Sequence, residues 1–410
     1  MKRLIIDITE LVTWQGKLTG VPRVMNELHM RFKNNNNAVF VFWDSSTKGY
    51  IETDYPNNEN NDNQESSIKK TLLKSQYINL LIPTYNRILV KSAQTFRGKN
   101  ISSLNEKKFN FSKGDTLLIM ADWHGSDGNF VDYLQSIHES GVSLVQMVYD
   151  LIPLVTPQYS GHSTTYLANY AEKVYPICSK LVAISKNTKR DIVKVLESKK
   201  IKIPPIEVIR LGDDFSYAIP IKPKEEIFAD SKINRGDFIL CVGTIEARKN
   251  HTLLYYVYKL ANSRKIKIPK LVIVGRLGWQ SENIYEFINN DPDVKNKILI
   301  MQNVDDNELS WLYQNCLFSI YPSFYEGWGL PIAESISRGV PCLSSDTSSM
   351  PEIAGSLARY FSPYSPDDCL EVISKMQDRK NLNKVRTDLK KYVPYSWQDT
   401  FNSLIGFINE

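Results

Sequence analysis

The stretch that decides the fold is YPSFYEGWGLPIAESISRG, Tyr321 to Gly339, which overlaps the end of an apolar run, LFSIYPS. The run predicts a buried strand. Pro331 and Gly339 then predict a helix that opens at the proline and stops at the glycine. Glu326 falls at the strand's carboxyl end and Glu334 in the first helical turn. Their spacing, at about 100° per residue, would put them on different helix faces, so they do not form one helical stripe. Gly327 and Gly329 let backbone N–H groups approach a ligand, and the partly positive helix N-terminus favours phosphate oxygens. With carboxylates to accept hydrogen bonds from hydroxyls, the combination suits a nucleotide sugar. Plainer readings exist for each: Glu334 as a complement to the helix dipole, Glu326 as a solvated turn residue. Glu326, as a loop carboxylate, is expected to contribute little to a core.

Outward from this crossing, short apolar runs alternate with helix-like segments. KRLIIDI, AVFVFW, DTLLIMA and SLVQMVYD are the expected strands of the first half; DFILCVG, KLVIVG, KILIMQN, LFSIYPS and VPCLSS are those of the second. Such alternation predicts an α/β fold of parallel sheets covered by helices, with ligands outside the carboxyl ends of the strands. At about 100–200 residues per domain, the chain of 410 residues is expected to form two. YAIPIKPKEEIFADSKINRGD, around Ser216 to Asp237, mixes proline with charge before a fresh strand and reads as the linker. Asn34 to Ser67, with NNNN and NNENNDN, reads as an irregular insertion with too little apolar content to pack.

Hydrophobic content of 42% and charged content of 23% exclude disordered and fibrous classes. The net charge of +5 comes without a tight Lys/Arg cluster interleaved with aromatics, so no nucleic-acid partner is expected; weak attraction to anionic phosphates or lipid remains. Cys178, Cys241, Cys316, Cys342 and Cys369 form no C-x-x-C pair and read as small buried apolar residues. MKRLIIDITEL meets Asp7 before a signal-peptide core can form, and no run of about 18 uncharged apolar residues occurs, so a soluble cytoplasmic protein is expected. His29, His138, His162 and His251 lack the H-E-x-x-H spacing, and Asp291-Pro-Asp293 reads as a polar turn, so no metal site is expected.

A second strand-to-helix crossing follows FILCVG. TIEARKN there places Arg248 and Lys249 before a helix beginning near His251, as a diphosphate-neutralising pair or an exposed basic one. VGRLGWQ brings Gly275, Arg276 and Gly278 after the next strand; QNVDDNEL brings Val304 and Asp305 after the one beyond, with Asp306 suited to cap the helix. In the first half, TELVTWQGKLTG carries Gly16 and Gly20, ADWHG carries Asp122, Trp123 and His124, and VYDLIPL carries Tyr149 and Asp150. His124 reads either as a structural histidine or, from its place at a strand's carboxyl end, as a functional one.

E-G-W-G-L-P-I-A-E, Glu326 to Glu334, is similar to the E-x7-E signature of retaining glycosyltransferases of family four, which have the GT-B fold. G-T-x-E-x-R-K-N, from Gly243, is similar to a phosphate-binding segment of that family, although Thr244 stands where many relatives have arginine. The resemblance extends over most of the chain and looks closest to the mannosyltransferase-like branch of bacterial polysaccharide biosynthesis. It implies two Rossmann-like domains facing across a cleft. Residues 1–218 would form the acceptor side and residues 219–395 the nucleotide-sugar side, with 396–410 returning to pack on the first. By the same resemblance, Glu326 faces the donor sugar and Glu334 the ribose. The diphosphate meets backbone at Gly327, Gly329 and Leu330, across from Gly16 and Gly20, while Arg248 and Lys249 hold the leaving group. Thr244, Arg276 and Val304 complete the donor pocket; Asp122, Trp123, Tyr149 and Asp150 belong to the acceptor side, and His124 lies near the sugar.

The implied reaction is retaining transfer of a hexosyl group to a hydroxyl of a growing bacterial surface glycan, such as O-antigen of lipopolysaccharide or capsule. Mannose is the first choice and GDP-mannose the first donor, with neither cofactor nor metal. The implied partners are the nucleotide sugar and a glycan or lipid-linked oligosaccharide, met peripherally at the cytoplasmic face of the inner membrane. A non-catalytic sugar-nucleotide-binding or regulatory protein of the same fold, and a GT-B phosphorylase or epimerase, are the alternative readings.

Overall fold

The computed structural model describes residues 2–14, 18–34, 38–55, 108–121, 128–160, 164–214 and 233–410. They divide into two compact units, Met1–Gln146 and Met147–Glu410. The expected boundary at 218, and all but the end of the expected linker, lie outside the described residues.

The first unit contains β1 (Leu4–Asp7), β2 (Ala38–Asp44), β3 (Gly49–Glu52), β4 (Thr116–Ile119) and most of β5 (Ser143–Val148). β1 pairs in parallel with β2 and β4, and β4 with β5. Ile5, Ile6, Leu117, Leu118 and Ile119 are fully buried, as expected of strands covered on both faces. The helix Val21–Lys33 buries Val24, Leu28 and Phe32 at helical spacing, and Gly128–Glu139 buries Phe130, Val131 and Leu134.

AVFVFW is the strand expected, as Ala38–Asp44, but the reading of Asn34 to Ser67 as irregular needs correction at 49–52. Gly49–Glu52 is a strand antiparallel to β2. It is held because Tyr50 is fully buried and its hydroxyl donates to Asp7 Oδ2 at 2.9 Å, beside the Thr9 N–H donating to Asp7 Oδ1 at 2.9 Å. One buried aromatic with a polar handle suffices where the neighbouring composition is polar. Residues 56–67 lie outside the described residues.

In the first unit the strand order is β3-β2-β1-β4-β5. In the second unit, β6 (Lys180–Ala183) and β7 (Ile206–Val208) pair in parallel. A six-stranded sheet contains β8 (Phe238–Val242), β9 (Lys270–Val274), β10 (Ile298–Met301), β11 (Phe318–Tyr321), β12 (Cys342–Ser345) and β13 (Ala358–Phe361). Its order is β10-β9-β8-β11-β12-β13, and every pair in it is parallel. Phe238, Leu240, Val272, Leu312 and Tyr313 pack in one core cluster of this unit. The five cysteines are free and buried as expected.

From β8 the chain moves outward through β9 and β10, then returns to the other side of β8 as β11. Loops leaving β8 and β11 diverge at such a reversal, and the crevice between them is where doubly wound sheets hold ligands.

Two further features belong to this unit. The helix Lys186–Ser198 is capped by Ser185, whose Oγ accepts from the Thr188 N–H at 2.9 Å, and by Glu352, whose carboxylate accepts from the Lys186 and Asn187 N–H groups at 2.7 Å each. The final helix, Trp397–Asn409, begins with a Trp397 N–H donating to Asp214 Oδ1 at 2.7 Å. Thr400 Oγ1 then donates to the Arg210 carbonyl at 2.9 Å.

Candidate active site

The crevice at the carboxyl ends of β8 and β11 contains the carboxylate and both cations singled out from the sequence. Glu326 follows β11; Arg248 and Lys249 occupy a short 3-10 turn, Ala247–Lys249, after β8. Arg248 Nη1 donates to Glu326 Oε2 at 2.6 Å and Lys249 Nζ to Glu326 Oε1 at 2.6 Å. Arg248 also donates to the Tyr325 carbonyl at 2.8 Å and to Glu246 Oε1 at 2.7 Å. Glu326 is only 9% exposed, which removes the reading as a solvated turn residue, and Arg248 is no exposed cation. Two charge-assisted hydrogen bonds share one buried carboxylate.

Burial pushes the Glu326 carboxyl up, but Arg248 and Lys249 outweigh it and hold the pKa at about 2, below the ordinary 4.5. The folded state therefore binds that proton less readily than the unfolded chain. The resulting stabilisation is present above pH 4.5 and is lost as the pH falls through 4.5 toward 2. Acid titration of stability is expected to show a few kcal/mol lost in that window by the native chain, and less by Glu326→Gln. Equal losses in the two proteins would refute the linkage.

The loop around Glu326 is fixed from below. The Glu326 N–H donates to Ser348 Oγ at 3.0 Å, and Ser349 Oγ donates to the carbonyls of Glu326 at 2.8 Å and Trp328 at 2.6 Å. On the other side, a Cβ added at Gly327 would lie 2.2 Å from the Tyr149 carbonyl oxygen and 2.8 Å from Asp150 Cβ. Glycine is required there by close backbone approach. Gly327→Ala is expected to cost about 3 kcal/mol or to push the Glu326 loop out of place, read as a drop in Tm with loss of nucleotide binding. An unchanged Tm and affinity would show that the backbone yields.

Gly329 sits at φ +137°, and the helix Leu330–Ser337 starts immediately after it. Its first turn has no acidic residue, so Glu334 lies in the second turn rather than the first, which removes the helix-dipole reading. Glu334 is buried, and its Oε2 accepts from the Tyr313 hydroxyl at 3.0 Å. Gly243, Lys249, Glu326, Gly329 and Ile332 help line the crevice.

The other expected residues are spread around this centre. Tyr149 and Asp150 abut Gly327. Burial pushes the Asp150 carboxyl up against the opposing pull of Arg248 and of the Ile152 N–H, which donates to it at 3.1 Å. Thr244 and Arg276 are exposed beyond β8 and β9, joined through the Ile245 N–H donating to the Arg276 carbonyl at 2.8 Å. Val304 is half-buried beyond β10 and packs against the core of the sheet. The helix after it is capped by Asp305 rather than Asp306, in a reciprocal pair with Glu308 at 2.8 Å each way. Gly20 stands in the first unit at φ +58°, ahead of Val21–Lys33. Gly16, Asp122, Trp123 and His124 lie outside the described residues. Glu246, Ser348 and Ser349 were not singled out from the sequence; serines just ahead of Pro351 in SSDTSSMPE were the available signal.

Residues 223–394 match the family of glycosyl transferases group 1. The two sheets and the likeness to solved structures show the GT-B fold. It is similar to the serotype-specific mannosyltransferase WbdA of Escherichia coli, 26% identical over 281 residues, covering 65% of this chain and 33% of that protein. It is 24% identical over 264 residues to the O-antigen chain mannosyltransferase RfbU of Salmonella typhimurium, covering 63% and 67% respectively. The chain thus spans about a third of the length of WbdA. Among solved structures, Anabaena Alr3699/HepE in complex with UDP and glucose aligns over 100% of both chains, with TM-score 0.63 and 11% identity.

Proposed function

We propose that this chain is a retaining hexosyltransferase that moves mannose from GDP-mannose to a hydroxyl of a growing bacterial surface glycan. The observation that carries the reading is the Glu326 carboxylate held by Arg248 and Lys249 in the crevice between β8 and β11. Two cations that share one buried carboxylate, with Glu246 also on Arg248, form an anion site with its own counterions. A diphosphate arriving there takes over the cations and leaves Glu326 free to accept hydrogen bonds from hydroxyls of the donor sugar. As the glycosidic bond breaks, the leaving diphosphate gains charge where Arg248 and Lys249 meet it, and its oxygen takes the proton of the attacking hydroxyl on the same face. The names of WbdA and RfbU support mannose and O-antigen, and HepE's bound UDP supports a nucleoside diphosphate in this fold.

Donor choice is tested by thermal shift against GDP-, UDP- and dTDP-sugars, since a ligand at a hundredfold excess over its Kd stabilises by about 2.7 kcal/mol. Product analysis with a glycan acceptor then decides the class. Released GDP with an α-linked mannosyl product is expected. An isomerised donor indicates an epimerase, a phosphate requirement indicates a phosphorylase, and binding without turnover indicates a regulatory protein.

Among the described residues, no helix is long and apolar enough to cross a membrane. The reading includes peripheral contact with an anionic cytoplasmic membrane face through the net +5 charge, at about 1 kcal/mol per well-placed Lys or Arg. Membrane-bound protein released by high salt supports this contact. Release by detergent alone, or activity only on free oligosaccharides, overturns it.

A further inference from the structure

His251 opens the helix His251–Ser263, two residues after Lys249. It is 3% exposed, yet neither Nδ1 nor Nε2 has a hydrogen-bond partner. Buried polar side chains are normally satisfied, so a ring with two unmet nitrogens needs an explanation. His29, also buried with both nitrogens unmet, packs edge-on against Phe40 with ring centroids 4.5 Å apart and serves as an aromatic core residue. His251 instead lines the crevice with Gly243, Lys249 and Glu326. Asn250, just before it, is fixed by its Nδ2 donating to the carbonyls of Pro322 at 3.0 Å and Pro363 at 2.9 Å. The first turn of this helix is therefore held rigidly against the loop that carries Glu326.

We propose that His251 is a diphosphate-binding residue, donating a ring N–H to an oxygen of the phosphate that bears the sugar. This rests on the nucleotide-sugar reading above. Three observations meet at the site: a helix N-terminus, Lys249 beside it, and a buried donor without a partner. The sugar-bearing phosphate is indicated because Glu326, the group assigned to the sugar, lines the same crevice. Burial, reinforced by Lys249, lowers the ring's pKa to about 3, so the ring is neutral near pH 7 and keeps one N–H to donate without adding a like charge beside Lys249. A phosphate oxygen then satisfies a group that the free protein leaves unsatisfied.

The test compares diphosphates with monophosphates. Calorimetric titration of GDP, UDP and dTDP, and of GMP, UMP and dTMP, is carried out on the native chain, His251→Leu and His251→Gln. The leucine variant should bind its preferred diphosphate about tenfold or more weakly, with the matching monophosphate within about twofold, and glutamine, which keeps an N–H donor, should recover most of the loss. Diphosphate affinity unchanged in the leucine variant, or mono- and diphosphate weakened alike, overturns the assignment. Where leucine prevents folding, the native chain labelled with 15N-histidine reports directly: the diphosphate should shift the His251 ring nitrogens and the monophosphate should not, and shifts equal for both overturn the proposal. A native chain that binds none of the three diphosphates refutes the nucleotide-sugar reading itself. Normal binding with an indifferent His251 refutes only the residue's role.

Discussion

Glu326→Gln is expected to lower turnover by about 10²–10³ while nucleoside-diphosphate affinity stays level or rises. The two effects separate because the carboxylate has two roles. In the free protein it pairs with Arg248 and Lys249 at 2.6 Å each, and an incoming diphosphate competes with it for both. During transfer it is the group assigned to the donor sugar, and glutamine supplies neither its charge nor its full accepting capacity. Steady-state kinetics alongside GDP titration reads both quantities. Near-normal turnover would remove Glu326 from the site, and a fall in diphosphate affinity matching the fall in turnover would refute its role as displaced counterion. The variant is also expected to melt earlier: a carboxylate 9% exposed between two cations belongs to the packed structure, contrary to its reading as a loop residue of little consequence to a core.

Arg248→Ala and Lys249→Ala are each expected to lower donor kcat/KM by about 10²–10³, with a greater loss in the double variant but less than the product of the two. They share a ligand and a counterion, so their contributions are coupled. Arg248→Ala should also loosen the Glu326 loop, because Arg248 alone of the pair reaches the Tyr325 carbonyl and Glu246. Full activity is expected in EDTA, since cations and helix N-termini perform the neutralisation. The acidic pair at Asp291 and Asp293 is engaged in holding Lys259, at 3.0 and 2.6 Å. Loss of activity in EDTA restored by magnesium or manganese would contradict the assignment.

Nine strands were legible because parallel strands covered on both faces read as continuous apolar runs. β6, β7 and β13 were not, since KLVA begins on a lysine and IEV and ARYF each carry a charged residue inside the run. β3 was hidden in polar sequence and depends on Tyr50 meeting Asp7, a contact between residues 43 positions apart. At the site, spacing and glycine marked Glu326, Arg248 and Lys249, but their mutual grip is a property of the β8-β11 reversal, which no local pattern encodes. Ser348 and Ser349 matter only because the fold carries them beneath the Glu326 loop. His251 was set aside for lacking a metal-ligand spacing; its unmet nitrogens are visible only in three dimensions.

The capping of Lys186–Ser198 by Glu352 has a kinetic consequence. Its two amide contacts join residues 165 and 166 positions apart, and the Tyr325 hydroxyl donates to Asp191, 134 positions away, at 2.8 Å. Contacts of such separation must wait for long stretches of chain to be ordered, so they form late in refolding and do little to guide it. During synthesis, the helix leaves the ribosome well before its distant carboxylate is made and begins life held by Ser185 alone.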